Sequence, residues 1–402
     1  MATVVDRYRE TARRRRRRAE RANRRLDIQG LRMVAVLAVF ADHLWGWPGG
    51  GFVGIDVFFV VSGYLVTTSL LSADTAKHFY WTRARRILPV AAVVLAATYV
   101  ASLLVLAPAR AQSVGKDVLF ALFGVANWQP PAEDSPTAHF WALSVGEQFW
   151  LVWPLLLLLV GLLKARKAAV AATAVVIAAS FAWALYETAD NPAHAYLDTF
   201  ARVWEFGVGA LLAMAAAQLA QIPHTVKPLL SWAGLLLIVA SMVVLGEAGF
   251  PAPWALLPVT GTALVLAAGV GGEPRFQPVL GNRVSTYVGD LSYALYLVHW
   301  PVIVLLAALM DRGPYFDICV VAFAFGLAIA CHHFVETPLR NASRDAFRQA
   351  RKDMERGLFH VERRTRYAAV GALVLIAIGL CAFAARPDAY QPHSTTVVTG
   401  GL

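Results

Sequence analysis

The sequence predicts an all-α polytopic membrane protein, built as a bundle of about ten helices followed by one extra transmembrane helix near the C-terminus. Of its 402 residues, 58% are hydrophobic and only 15% are charged. The charged residues are concentrated between long apolar stretches, each long enough to cross a bilayer as a helix of about 20 residues. Basic and acidic connecting segments alternate along the chain, as expected when Lys and Arg are retained in the cytosol.

The formal net charge of +10 has two interpretations, a nucleic-acid partner or membrane topology. In a chain this apolar the positive-inside rule is the simpler explanation, so no nucleic acid is expected as a partner. The three cysteines, Cys319, Cys331 and Cys381, fall in apolar segments and indicate no disulfide framework. No HExxH motif or Cys/His cluster is present, so no metal site is predicted.

Composition divides the chain into five segments. They are a basic cytosolic arm at 1–25, a membrane domain at 26–341, a basic connector at 342–366, an extra transmembrane helix at 367–385 and a short outer tail at 386–402. The arm contains a run of six arginines (13–18), which we expect to contact anionic lipid headgroups. The N-terminus is therefore predicted to be cytosolic and the C-terminus to lie outside.

The predicted helices follow in order from apolar stretches and their flanks. The first (about 29–47) leaves the cytosol and the second (about 51–71) returns, because the segment after it is basic. The third covers about 87–107. Residues 114–128 are apolar but short, and counting them as a span would place the later basic connector outside. We therefore expect them to be re-entrant or to lie in the interface.

The first two predicted helices carry the ionisable residues that organise the chain. Arg32 and His43 are 11 residues apart, nearly three helical turns, so they share a face about 16 Å apart along the axis. Asp42 is adjacent to His43 in the chain, and Asp56 is expected at a similar depth in the membrane on the second helix. Ionisable groups at membrane depth are costly and commonly functional.

These residues also carry a family resemblance. Arg32 and His43 have ten residues between them and are followed by G-x-D-x-F-F-x-x-S-G, from Gly54 to Gly63. This pattern, with further matches as far as Arg340, resembles the acyltransferase 3 family over about residues 25–341. The resemblance implies a multi-pass enzyme of the bacterial inner membrane. It would move an acetyl or other short acyl group from cytosolic acyl-CoA to a hydroxyl of an envelope glycan or glycolipid.

Donor binding is assigned by the resemblance to three arginines. The segment F-Y-W-T-R-A-R-R-I-L-P is similar to a family signature, with Arg83 and Arg86 as its arginines and Pro89 opening the third helix. Their chemistry alone allows two roles. They could set the membrane topology as positive charges at a helix end, or they could bind the phosphates of CoA, for which the guanidinium group is well suited. The resemblance favours the second role, with Arg32 guiding the thioester arm. Acyl-CoA, commonly acetyl-CoA, is then a substrate, and no permanently bound cofactor is expected.

The candidate catalytic residues are His43, Asp56 and Glu147. His43 would act as general base on the acceptor hydroxyl, or would carry the acyl group itself. Asp56 would orient the imidazole, with Asp42 as a competitor and a purely structural role as the alternative for either. Glu147 stands in A-L-S-V-G-E-Q-F, where Gly146 replaces the first of the family's two adjacent acids.

The remaining polar candidates are spread over three later helices. Arg202 and Glu205 are three residues apart and are predicted to form a structural ion pair. Tyr296 and His299, in S-Y-A-L-Y-L-V-H-W-P, share a helix face, and His299 ranks below His43 as a base. Glu336 belongs to the last family element, H-H-F-V-E-T-P-L-R-N.

A second class of function fits the composition equally well. A proton-coupled transporter or a lipid or glycan flippase would also line its path with buried Arg, Asp and His. The order and spacing of the motifs favour the enzyme.

Overall fold

The computed structural model of the protein is an all-α bundle, which confirms the predicted fold class, and it contains no strand among the residues it describes. Those residues are 25–73, 75–129, 132, 134–161, 166–272, 274, 276–340 and 363–386. Most of the predicted basic arm, connector and tail lies outside them. Nine helices of the described part are long and apolar enough to cross a membrane.

Thirteen helices are named here in chain order. They are α1 Leu26–Trp45, α2 Gly54–Leu71, α3 Ala76–Val105, α4 Pro108–Leu122, α5 Phe140–Gly161, α6 Arg166–Asp190, α7 Pro192–Leu197, α8 Thr199–Met214, α9 Lys227–Val244, α10 Leu256–Gly269, α11 Arg283–Ala307, α12 Pro314–Ala330 and α13 Arg363–Ala384. A π-helical segment, Cys331–Glu336, extends α12. Helices α8 and α10 have only 16 and 14 residues and are not among the nine candidate spans of the described part.

Two predicted segments differ in their bounds. Helix α3 begins at Ala76 rather than at 87, because the Thr75 side chain caps it by accepting a hydrogen bond from the backbone N–H of His78. Pro89 is therefore inside this helix, and the prediction that it opens the helix was wrong. Of the segment predicted at 114–128, only residues 114–122 are helical, as part of α4, which has Pro108 in its first turn and is not among the candidate spans.

Two glycines bring the backbones of α2 and α8 into contact. A Cβ atom on Gly63 would overlap the carbonyl oxygen of Phe206, and one on Gly209 would overlap the carbonyl oxygen of Val60. Small residues at such crossings let membrane helices approach closely. This contact places the polar residues of α2 directly against those of α8.

Replacing Gly63 with Ala is expected to destabilise the fold by about 1–3 kcal/mol, because an added methyl group meets rigid backbone. The measurement is the thermal unfolding midpoint of the purified protein in detergent. Gly146→Ala is the matched control, since no heavy atom lies within 4 Å of a Cβ atom built there. A Gly63→Ala protein that melts with the wild type would contradict the packing of α2 on α8.

The extra C-terminal helix α13 packs against α12. Gly379 of α13 lies against the ring of Phe323, and its carbonyl oxygen lies 3.4 Å from the thiol of Cys319. Gly326 of α12 lies in turn against Ile376. Glycine on each helix therefore accommodates a side chain of the other, and α13 is part of the bundle.

Candidate active site

The predicted functional residues occupy opposite ends of the bundle. The His43 end is where α1 ends and α2 and α5 begin, and the Arg86 end is where α1 and α3 begin. A cavity of about 620 Å³ lies at the His43 end. Its lining includes carboxylates, imidazoles and aromatic rings, among them Asp42, His43, Phe52, His139, Trp141, Tyr196, Glu247, Phe250, Tyr296 and Trp300.

His43 is paired with His299 across the interface of α1 and α11. The Nδ1 atom of His43 lies 2.9 Å from Nε2 of His299, and the two rings are stacked with centroids 5.2 Å apart. The ring of Trp300 packs edge-on against His43 at 4.8 Å. His43 is half-buried, whereas His299 is fully buried.

The contacts of His299 determine which nitrogen of His43 is free. Its Nδ1 faces two backbone carbonyl oxygens, Tyr296 at 2.6 Å and Leu295 at 3.2 Å, so this nitrogen carries the proton and donates. In the neutral ring Nε2 of His299 is then an acceptor, and Nδ1–H of His43 donates to it. The Nε2 atom of His43 is left with its lone pair free to accept a proton.

A third histidine, His139 at the start of α5, is positioned by a proline in α11. Pro301 has no N–H, so the carbonyl of Leu297 loses its helical partner. The Nε2 atom of His139 lies 3.2 Å from that oxygen and donates to it. Its Nδ1 atom is buried without a hydrogen-bond partner in the described part of the chain. Within that part, no group of three or more His, Cys, Asp or Glu side chains could hold a metal ion.

The expected contact between Asp56 and His43 is not formed. Asp56 lies 3.1 Å from Arg202, whose guanidinium is also 3.0 Å from Glu205, and all three side chains are completely buried. The predicted Arg202–Glu205 ion pair is thus confirmed, with Asp56 as an additional member. Because the α2–α8 crossing holds Asp56 against Arg202, its carboxylate does not orient the imidazole, which is paired with His299 instead.

The Arg86 end gathers the other predicted charges around Glu336. One Glu336 oxygen lies 2.8 Å from Nδ1 of His332, and the other lies 3.8 Å from Arg340. Arg32 and Arg86 are both within electrostatic range of this carboxylate. Residues from α1, α3 and the end of α12 therefore converge at one place.

The two predicted arginines of α3 are neighbours at this end. The guanidinium of Arg83 lies 5.6 Å from the ring centroid of Phe79 and is close enough to Arg86 for the two charges to repel. Such a pair is stabilised by an anion placed between or beside the two groups.

Glu147 lies away from the cavity lining. It is buried on α5 next to Gly124, where a Cβ atom would come within 2.6 Å of Oε2 of Glu147, and its charge influences Tyr293 of α11. Gly146, which stands before Glu147 in the chain, has no heavy atom within 4 Å of a Cβ atom built on it. The structure therefore brings His43 and His299 together and leaves Glu147 apart from them.

The sequence analysis did not identify His139, Glu247 or most of the aromatic residues that line the cavity. His139 stands directly before the α5 motif, and Pro301 was the available signal, because it frees a carbonyl that a nearby donor must satisfy. Tyr196 and Glu247 carried no such signal, since they lie in short connecting segments between spans.

Comparison with known proteins identifies a family and several relatives. The family described as an acyltransferase domain matches residues 25–333. The "Putative peptidoglycan O-acetyltransferase YrhL" of Bacillus subtilis is 30% identical over 393 residues, covering 89% of this chain and 60% of the relative. The peptidoglycan O-acetyltransferase OatA of Listeria monocytogenes is 29% identical over 347 residues, covering 78% of this chain and 55% of the relative.

The chain spans only 55–60% of the length of these two relatives. No solved structure is significantly similar to it. The family match covers most of the chain, from the start of α1 to the π-helical segment after α12. The protein therefore belongs to the acyltransferase 3 family.

Proposed function

We propose that this protein transfers an acetyl or other short acyl group from cytosolic acyl-CoA to a hydroxyl of a cell-envelope glycan in the bacterial inner membrane. The observation that carries the proposal is the His43–His299 pair, which leaves Nε2 of His43 available as a base beside a cavity of about 620 Å³. Relatives named peptidoglycan O-acetyltransferases support a wall glycan as the acceptor.

In the proposed reaction His43 is the general base. Its Nε2 atom takes the proton of the acceptor hydroxyl while the oxygen attacks the thioester carbonyl carbon. The C–S bond breaks, and the proton passes to the sulfur of CoA, so the products are an ester and free CoA. The Nδ1–H group of His43 keeps its hydrogen bond to His299 while the imidazolium exists. An acyl-His43 intermediate is the alternative route to the same products.

Donor binding is proposed at the Arg86 end. Arg83 and Arg86 would bind the phosphates of CoA, and Arg32 lies on α1 between these residues and His43. The separation of Arg32 and His43, about 16 Å along the helix, suits an extended pantetheine arm whose thioester reaches the cavity. Glu336, near Arg32 and Arg86, would offset the repulsion between these two arginines when no donor is bound.

The proposed orientation places the Arg86 end in the cytosol and the His43 end outside, following the positive-inside rule. Single cysteines at two exposed positions test it, Lys77→Cys at one end and Asp134→Cys at the other, after the three native cysteines are replaced by Ser. A membrane-impermeant maleimide should label only Asp134→Cys in intact cells. Labelling of Lys77→Cys alone would invert the orientation.

The double replacement of Arg83 and Arg86 by Ala is expected to weaken acyl-CoA binding by about 1–3 kcal/mol per charge-assisted contact. Affinity for a non-hydrolysable acetyl-CoA analogue measures the effect. Lys77→Ala is the matched control, because Lys77 lies on the same helix but is exposed. Unchanged affinity in the double variant would leave the two arginines with a topological role only.

The function itself is tested with purified protein in nanodiscs, given acetyl-CoA and a peptidoglycan-derived oligosaccharide. Release of CoA together with a mass increase of one acetyl group on the saccharide is the expected result. In sealed proteoliposomes, movement of the saccharide or lipid across the membrane without thioester consumption would instead establish the transporter or flippase.

A further inference from the structure

We propose that the cavity at the His43 end binds a neutral or amine-bearing sugar unit of the acceptor and rejects a unit with a carboxylate or phosphate beside the reacting hydroxyl. The inference rests on the proposed acyl transfer and adds to it the chemical class of the acceptor. It is carried by the charges and the aromatic rings that line the cavity.

Two carboxylates face this cavity, and none of its described lining residues is Lys or Arg. Asp42 accepts a hydrogen bond from the backbone N–H of Phe52 and lies within electrostatic range of Glu247. Glu247 is exposed in the segment after α9, and its side chain makes no hydrogen bond or ion pair within the described residues, although its backbone carbonyl accepts one from Phe250. A negative substituent placed here would meet two like charges, which is how protein sites exclude unwanted partners.

Arg202 lies behind the aromatic rings of the cavity lining, but it does not cancel the negative charge of the two carboxylates. The guanidinium of Arg202 lies 5.6 Å from the ring centroid of Tyr196 and 5.4 Å from that of Phe250, and both rings line the cavity. Arg202 is completely buried and already paired with Asp56 and Glu205. An anionic ligand therefore gains little from Arg202 and is still repelled by Asp42 and Glu247.

The rest of the lining suits a sugar. Rings of Trp141, Trp300, Tyr196 and Phe250 offer flat apolar surfaces to the C–H faces of a pyranose. His139 also lines the cavity and is only 3% exposed, and its Nδ1 atom has no hydrogen-bond partner among the described residues. Because its Nε2 donates to Leu297, Nδ1 is an acceptor, suited to a hydroxyl or amide N–H of the sugar.

The test compares trisaccharides that share one β-1,4-linked glucosamine backbone. The amines of chitotriose are left free, acetylated, butyrylated or succinylated, and binding to the purified protein in neutral phosphatidylcholine nanodiscs is measured by calorimetry without an acyl donor. The N-butyryl and N-succinyl forms have similar size and differ by a carboxylate. We expect the N-succinyl form to bind at least about tenfold more weakly than the N-butyryl form, because of like-charge repulsion.

Removing the negative charges of Asp42 and Glu247 should abolish the preference for the N-butyryl over the N-succinyl saccharide. In Asp42→Asn, Glu247→Gln and the double variant, the ratio of the two dissociation constants should fall, to about twofold or less in the double variant. Asp134→Asn, an exposed acid outside the lining, should keep the wild-type ratio.

Equal binding of the N-butyryl and N-succinyl forms to the wild type would overturn the proposal, as would an unchanged ratio in the double variant or failure of all four saccharides to bind. The comparison of N-butyryl and N-succinyl binding to the wild-type protein tests the proposal even where a variant does not fold. Saccharide binding with the expected preference but without CoA release from acetyl-CoA would refute the acyl transfer and leave the sugar site. CoA release and acetylation without the charge preference would support the acyl transfer and refute the proposed selectivity of the cavity.

Discussion

His43→Ala is expected to lower acyl transfer by about 10²–10⁴-fold, because it removes the base that accepts the hydroxyl proton. The protein should still fold and bind the acyl donor, since the proposed phosphate contacts are at the opposite end of the bundle. Turnover, donor affinity and the thermal midpoint are measured on the same preparation. Turnover at the wild-type level in a folded His43→Ala protein would refute the catalytic assignment.

Two comparisons separate catalysis from structure. If His43 were only a satisfied buried polar group, its loss would lower the thermal midpoint together with activity, because His299 would lose its partner. Arg32→Ala should behave differently and chiefly raise the apparent KM for the donor. A fall in kcat alone for Arg32→Ala would place that residue in the chemical step.

Arg202→Met is expected to destabilise the protein by about 3–5 kcal/mol, because it leaves Asp56 and Glu205 buried without their cation. The three side chains are completely buried, so water cannot replace the guanidinium. Yield of folded protein and thermal midpoint in detergent measure the loss. Arg110→Ala is the matched control, since its ion pair with Asp134 is partly exposed and should contribute at most about 1 kcal/mol.

A compensated variant tests whether charge is the cause. Arg202→Met combined with Asp56→Asn and Glu205→Gln removes all three charges and should recover much of the lost stability. Stability that falls further in the triple variant would show that the cost lies in packing against the Phe59, Tyr196 and Phe250 rings around Arg202.

Features that depend on near neighbours in the chain were predictable. The Arg202–Glu205 pair follows from a spacing of three on one helix, and the fold class follows from apolar stretches of spanning length. The start of α3 was missed because its first turns are polar and basic, so hydropathy alone places the boundary too late. The actual start of α3 is set by the Thr75 side chain, which caps the first turn.

Features that depend on how distant helices meet could not be predicted. His43 and His299 are 256 positions apart, and no periodicity within either helix reveals that their nitrogens meet. Asp56 was assigned to His43 from similar depth in the membrane, whereas helix rotation at the Gly63–Gly209 crossing turns it to Arg202. The cavity lining was missed for a related reason, because it is assembled from the ends of several helices and the segments between them.

The buried charges also bear on how the chain enters the membrane during synthesis. Helix α8 has only 16 residues and contains both Arg202 and Glu205, so by itself it is a poor substrate for insertion into lipid. Arg202 is also paired with Asp56 of α2, a helix made much earlier. We therefore expect α2 to remain near the insertion machinery until α8 emerges, so that the two helices move into the bilayer together.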